Sequence, residues 1–299
     1  MFLKERRPST DPRLRSLLQK AARRGYLDVV EGTARRLDAI GDRAWLRSRA
    51  AVITFEECWP LAETLALTKD VETKIRPLLQ VTAAAKQKDA AGLGALAFAF
   101  HEGDNSMLAL VPNDWPIRVV SEGLNRPGPF FAWALTQCTS DHPARIVDVA
   151  RQYLAAATWG WDKTCILAGA FLAATESSIP VCPPSPTPDG SFPYWIALDK
   201  HTPQGKEALR TLGAELKLQY RHLIWAGFYF ESARVNRLLP SRWWVTERNW
   251  RLRQVGLTAE SAVDIWDSVK ALLADRLTEE ADELALSIEA RTAGQQGLF

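Results

Sequence analysis

Apolar residues recur at three- and four-residue spacing along most of the chain, cut by short Gly and Asp joints, and this pattern constrains the fold more than any other feature. Asp11-Pro12 supplies an N-cap followed by proline at the first helical position. Leu14, Leu17, Leu18 and Ala21 then form one stripe that Gly25 ends. A second stripe holds Leu27, Val30, Ala34, Leu37 and Ile40 inward with Arg35 and Arg36 outward, and stops at Gly41. Asp42 opens a third, with Trp45, Leu46, Arg49 and Ile53. Further stripes are Ile75, Leu78, Leu79 and Thr82, then Leu93, Leu96, Ala97 and Phe100, then Ile146, Val149, Ala150, Tyr153 and Leu154 after Asp141 and Pro143. Near the C-terminus Thr258 caps a helix with Val263, Trp266, Val269 and Leu273 that runs on toward Ile288. Strand signals are confined to Tyr194–Leu198 and to Trp243–Thr246, the latter readable either way. The fold class predicted is mainly α, a multi-helical array or bundle with at most a short β element, its neighbouring helices pairing through short joints.

One segment cannot be helical. Residues 179–193, IPVCPPSPTPDGSFP, carry six prolines in 15 residues. They divide a helical part, 1–178, from a basic and aromatic part, 194–299, as a linker or as a wall over a cleft, and the two parts are free to pack as one unit. With 47% hydrophobic and 24% charged residues, the 299-residue chain is not disordered, collagen-like or a coiled coil. The start, MFLKERRPSTDPR, lacks an apolar core after its charges and does not read as a secretory leader. No apolar run reaches the roughly 18 residues that a membrane span needs. Cys58, Cys138, Cys165 and Cys182 form no CxxC pair and read as reduced thiols of a cytoplasmic protein.

The net charge of +2 is unevenly spread. Residues 1–50 hold 13 Lys and Arg against 6 acids, and residues 234–253 hold 6 Arg against Glu247 alone, whereas residues 275–299 hold 6 acids against 2 Arg. Basic zones on a nearly neutral chain suit a polyanionic partner, or else are solvated helix surface.

Residues 14–62, LRSLLQKAARRGYLDVVEGTARRLDAIGDRAWLRSRAAVITFEECWPLA, resemble the helical region downstream of the ATPase module in replication-associated AAA proteins of the RarA/MgsA type. The positions that carry the resemblance are Lys20, Arg24-Gly25, Asp28, Ala34-Arg35, Leu37, Gly41-Asp42, Arg47, Arg49, Ile53 and Glu56-Glu57. It covers about 50 residues, and no GxxxxGK[ST] loop accompanies it, so no nucleotide triphosphate is expected as partner. The resemblance implies a helical scaffold from replication and repair, without its motor.

Four polar clusters interrupt the apolar pattern. Glu56-Glu57 adjoins Phe55 and Trp59, where a carboxyl with a raised pKa would suit acid–base work; the alternative is a helix-end acid paired with an arginine such as Arg49. Lys86, Lys88 and Asp89 mark a junction of two helices, followed by Gly92 and Gly94, which serve a pocket wall or tight helix packing. Asp199, Lys200 and His201 precede a helix begun by Thr202-Pro203, an arrangement for acid–base chemistry or simple capping. Arg242, Arg248, Arg251 and Arg253 interleave with Trp243, Trp244 and Trp250, matching guanidinium to phosphate and indole to base, or arginine stems to buried tryptophans. Of the 12 tryptophans, Trp45, Trp115, Trp133 and Trp266 lie on apolar stripes and are expected in the core.

HExxH, GxSxG, GxGxxG and zinc-ligand spacings are missing, so neither metal nor cofactor is expected. Basic faces, spare aromatics and isolated carboxylates fit an enzyme that flips a base from DNA and breaks its N-glycosidic bond, in repair or antiphage defence. Asp199, Asp89, Glu57 and His201 are the candidates for that chemistry. Lys86, Lys88, Lys200, Arg242, Trp243, Trp244, Arg248, Trp250, Arg251 and Arg253 are the candidates for holding DNA. The alternative is a non-catalytic, collar-like helical module that binds DNA or a replication or repair protein.

Overall fold

The computed structural model describes residues 10–65, 70 and 72–289. Most of the leader reading falls on residues 1–9, outside them. The described chain folds into fourteen α-helices with no strand or sheet. In order these are α1 (Pro12–Arg24), α2 (Leu27–Ala39), α3 (Arg43–Cys58), α4 (Glu72–Ala83), α5 (Asp89–His101), α6 (Trp115–Asn125) and α7 (Pro127–Gln137). They continue with α8 (Asp141–Leu154), α9 (Gly160–Thr175), α10 (Pro203–Glu215), α11 (Tyr220–Gly227), α12 (Arg242–Arg253), α13 (Ala259–Arg276) and α14 (Thr278–Glu289).

Local chemistry sets several boundaries. The Asp11 carboxylate accepts the Arg13 N–H at 2.9 Å, and Gly25 ends α1 in the left-handed region at φ 84°. Thr258 and Ser261 form a reciprocal cap on α13. Asp42, in contrast, makes no cap; its carboxylate takes both arms of the Arg15 guanidinium at 2.7 Å.

Tyr194–Ala197 is a single 3-10 turn rather than a strand, and Trp243–Thr246, readable either way, lies inside α12, whose first turn is fixed by the Asp89 carboxylate on the Trp243 N–H at 2.7 Å. The C-terminal stripe is two helices, broken at Leu277, rather than one running to Ile288.

The molecule has two apolar cores, each drawing on residues before and after the proline-rich segment. One gathers α1, α2 and α4 with Phe192, Ile196, Leu198 and the α10, α11, α13 and α14 faces. The other gathers α5 to α9 with Trp243 and Trp250 of α12. Helix α3 serves both, with Ala50 and Ile53 in the first and Val52 and Phe55 in the second. Between them runs the extended stretch Ala84–Lys88. It bonds to the proline-rich segment (Ala85 N–H to Pro183 C=O, 2.8 Å), to residues 237–239 (Lys86 N–H to Arg237 C=O, 2.8 Å) and to α3 (Gln87 N–H to Glu57 C=O, 2.8 Å). Helix α5 is apolar all round and lies among α6, α9 and α12. A Cβ on Gly92 would stand 2.3 Å from the Trp243 backbone, and one on Gly94 2.7 Å from Cys165, so these glycines serve tight helix packing.

Trp266 is core as expected, whereas Trp115, 45% exposed, packs edge-on against Trp133 and Phe171 at the protein's rim.

Candidate functional site

The seam between the two cores is filled with charge. Lys20 and Arg23, three apart on α1, share a face; Arg23 reaches Glu56 and Glu57 in the last turn of α3, and Lys20 reaches Asp199. A chain of ion pairs runs from Asp162 to Arg49 (2.8 Å), Arg49 to Glu56 (3.3 Å), Glu56 to Arg23 (3.5 Å), Arg23 to Glu57 (2.5 Å) and Glu57 to Lys88 (2.9 Å). Beside it, Lys20 pairs with Asp199 at 2.7 Å, and Asp199 bonds the His201 ring nitrogen Nδ1 at 3.0 Å. Helix α12 adds Glu247, which accepts the Tyr229 hydroxyl at 2.8 Å and the Arg251 guanidinium at 3.4 Å.

Aromatic rings close the open side. Trp161, Trp225, Phe228 and Trp244 are all half-buried and interleave with cations. Lys88 Nζ lies 4.5 Å from the Trp244 ring centre, Lys200 Nζ 3.8 Å from Trp225 and 4.0 Å from Phe228, and the Arg251 guanidinium 5.1 Å from Trp225 and 5.8 Å from Trp161. A cavity of about 20 Å³ beside Asp199, Lys200 and Phe228 has room for one water.

The electrostatics separate these groups by role. Glu57 is buried, which alone would raise its carboxyl, but Arg23 and Lys88 hold it down at about 2. The upward shift expected for it is therefore not found, and it is a locked anion. Asp199 is likewise held well below the usual carboxylate range by Lys20 and His201, against its own burial. Partial burial of the ring lowers His201, against the opposing pull of Asp199. Burial brings Lys200 down to about 7 and pushes Glu247 up. Replacing buried ion pairs by apolar residues is often neutral for stability, because desolvation offsets their attraction, so a seam this rich in charge and perturbed titration is the candidate functional site.

The structure gathers Glu57, Lys88, Asp199, Lys200, His201, Trp244 and Arg251 here, from stretches nearly two hundred residues apart in sequence. Other sequence candidates lie elsewhere or are committed internally. Asp89 caps α12 and accepts the Gln87 amide at 2.9 Å; burial raises its carboxyl. Lys86, expected at phosphate, is 1% exposed, and its ammonium binds the Val81, Thr82 and Ala84 carbonyls at the end of α4 at 2.6–3.0 Å. Lys88, also expected there, is 1% exposed and paired with Glu57. Trp243 and Trp250 are core residues at 5% and 2% exposure and offer no stacking face. Arg242 and Arg253 point to solvent on the outer side of α12, with Arg248 half-buried.

Lys20, Arg23, Trp225, Phe228, Tyr229 and Glu247 were not among the site candidates read from the sequence. Lys20 and Arg23 sit inside an ordinary amphipathic stripe, and Tyr229 lies in a π-helical turn, Phe228–Ser232, that continues α11. A signal was present in Trp225–Phe230, where four aromatics crowd six residues just before the arginine-rich stretch.

The larger cavity, about 420 Å³ between α6 and α7, is lined by Trp115, Val119, Phe130 and Trp133 together with Arg118, Glu122 and Arg126. Among the described residues no group of three or more His, Cys, Asp or Glu is placed to hold a metal, and no helix is long and apolar enough to cross a membrane. Comparison with known protein families, curated proteins and solved structures finds no match for the chain.

Proposed function

We propose that the chain acts on DNA and excises a base by hydrolysing its N-glycosidic bond at the seam between the cores. The observation that carries this reading is the Asp199–His201 pair. The carboxylate is 8% exposed and anchored by Lys20, while the imidazole is 57% exposed at its side chain, with Nε2 free of any hydrogen bond within the described residues. Asp199 orients the ring and favours the tautomer whose Nε2 accepts a proton. A water whose proton passes to Nε2 attacks C1′ as the C–N bond breaks and the base departs with that electron pair. The Asp199 charge stabilises the positive sugar that develops. Half-buried Trp161, Trp225, Phe228 and Trp244 supply faces for an extruded base, which enters as the Lys200 stem swings off Trp225. Arg242 and Arg253 on the outer side of α12 suit phosphate contact.

The test is a gel shift over a salt series with modified and unmodified duplexes, followed by alkali treatment of the same samples. Salt-dependent retention and alkali-labile sites are expected from the wild type, with retention but no labile sites from Asp199→Asn. Absence of labile sites on every duplex refutes excision. The second reading, a non-catalytic DNA- or replication-protein-binding module, is favoured by the full pairing of Glu57 and Asp199 with cations. It requires binding that Asp199→Asn leaves unchanged and no product from either protein.

A further inference from the structure

We infer that Lys200 is an amine nucleophile that captures the aldehyde of an abasic deoxyribose, giving the protein a strand-cleaving lyase activity on abasic DNA. The inference rests on the DNA reading above and adds a second reaction at the same centre.

Four lysines belong to or border the seam, and three are held by hydrogen-bond or ion-pair partners. Lys20 is held by Asp199 and Ser16, Lys86 by three carbonyls, and Lys88 by Glu57. Lys200 makes no hydrogen bond or ion pair within the described residues; its Nζ lies over the Trp225 and Phe228 faces. Its backbone is nonetheless fixed. The Thr202 N–H and hydroxyl both donate to the Asp199 carbonyl, at 2.9 and 3.0 Å, and the Thr202 hydroxyl caps α10 at the Gly205 N–H, at 3.1 Å. A Cβ on Gly205 would meet the Asp199 and Leu198 carbonyls at 2.2 Å, so the turn sits directly on α10. A lysine with no hydrogen-bond or ion-pair partner, carried on a fixed turn and adjacent in sequence to the Asp199–His201 pair, suits nucleophilic amine catalysis.

The aromatic niche also sets the state of the amine. Burial lowers it to about 7, outweighing Asp199 and Glu247, while Arg251 and Lys20 push the same way as burial. A large share is therefore uncharged near neutral pH.

In the reaction, the Lys200 nitrogen bonds to C1′ of the ring-opened sugar. The nitrogen gives up its two protons, and the aldehyde oxygen leaves as water carrying two. The resulting imine, protonated, acidifies C2′. His201 Nε2 takes the C2′ proton, the electron pair forms the C2′–C3′ double bond, and the C3′–O bond breaks to release the 3′ phosphate. Water then hydrolyses the imine and frees Lys200.

The test uses a labelled duplex with one preformed abasic site, so that it does not depend on base excision. The full-length protein is mixed with this duplex in sodium borohydride, which reduces the imine to a stable adduct, and the products are run on a denaturing gel. A covalent band is expected from the wild type and from Lys206→Ala, an exposed lysine of α10. None is expected from Lys200→Arg or Lys200→Ala. Peptide mass spectrometry of the wild-type adduct, which needs no variant, is expected to place the reduced sugar on Lys200. An adduct that maps to another residue, or persists in Lys200→Arg, overturns the inference. So does a bound duplex with no adduct, and in each of these cases the excision reading stands on its own alkali assay. A duplex that is not bound at all in the parallel gel shift overturns both.

Discussion

Replacing Glu57 by Gln keeps the shape of the side chain and removes one charge from the centre of the seam. Glu57 is 1% exposed and lies between Arg23 at 2.5 Å and Lys88 at 2.9 Å, both buried. Its carboxyl stands at about 2 in the fold against an ordinary 4.5. At about 1.4 kcal/mol per pKa unit, that difference is worth roughly 3 kcal/mol at neutral pH. An independent route agrees in size: deleting one partner of a buried pair and stranding the other typically costs about 3–5 kcal/mol. Because the folded-state pKa is the lower one, the stabilisation is complete above the ordinary value and is lost as pH falls toward the folded value. Urea unfolding of wild type and Glu57→Gln at pH 7 is therefore expected to differ by roughly 3 kcal/mol, shrinking by about half at pH 3. A double-mutant cycle with Lys88→Met is expected to return a coupling above about 1 kcal/mol. A difference below about 1 kcal/mol at pH 7, or one that does not change with pH, refutes the reasoning, because either result means Glu57 is not a locked, desolvated anion.

Three further outcomes follow from particular contacts. Gly92→Ala gains about 1 kcal/mol of helix propensity but places a methyl 2.3 Å from the Trp243 backbone, which cannot rotate away. Net destabilisation of about 1–3 kcal/mol is expected from thermal or urea unfolding. The Cys182 thiol, half-buried and lowered by its interaction with Cys58, is expected to react with iodoacetamide faster than Cys58, raised by that same interaction and then by burial, and Cys165, raised by burial; peptide mass spectrometry of the native protein reads the order directly. Finally, Arg242→Ala with Arg253→Ala, both on the outer side of α12, is expected to lower the slope of log affinity for DNA against log salt by about 2 without changing which duplex is cut. An unchanged slope in that double variant places the phosphate contacts elsewhere.

The helical class of this chain was legible in its periodicity because an amphipathic stripe is a local property: each helix writes its buried face every three or four residues. Caps were legible for the same reason, as Asp11, Thr202 and Thr258 show. Where two local forces competed, the pattern alone was insufficient. The Trp243–Thr246 stretch was open to either structure until Asp89, from a distant helix, capped α12. The composition also marked most of the seam, since Glu57, Asp199, Lys200 and His201 interrupt apolar sequence. What those residues do was decided only by folding, because burial and partners, not residue type, set a charge's chemistry. Glu57 and Asp199 look alike in sequence; one is clamped between two buried cations, while the other holds a half-exposed imidazole. The arginine and tryptophan stretch divides in the same way, with Trp243 and Trp250 drawn into the core and Trp244 left beside Lys88. Lysines 20, 86, 88 and 200 are equivalent as letters. The tertiary structure alone separates three held by hydrogen-bond or ion-pair partners from the one whose amine lies over aromatic rings.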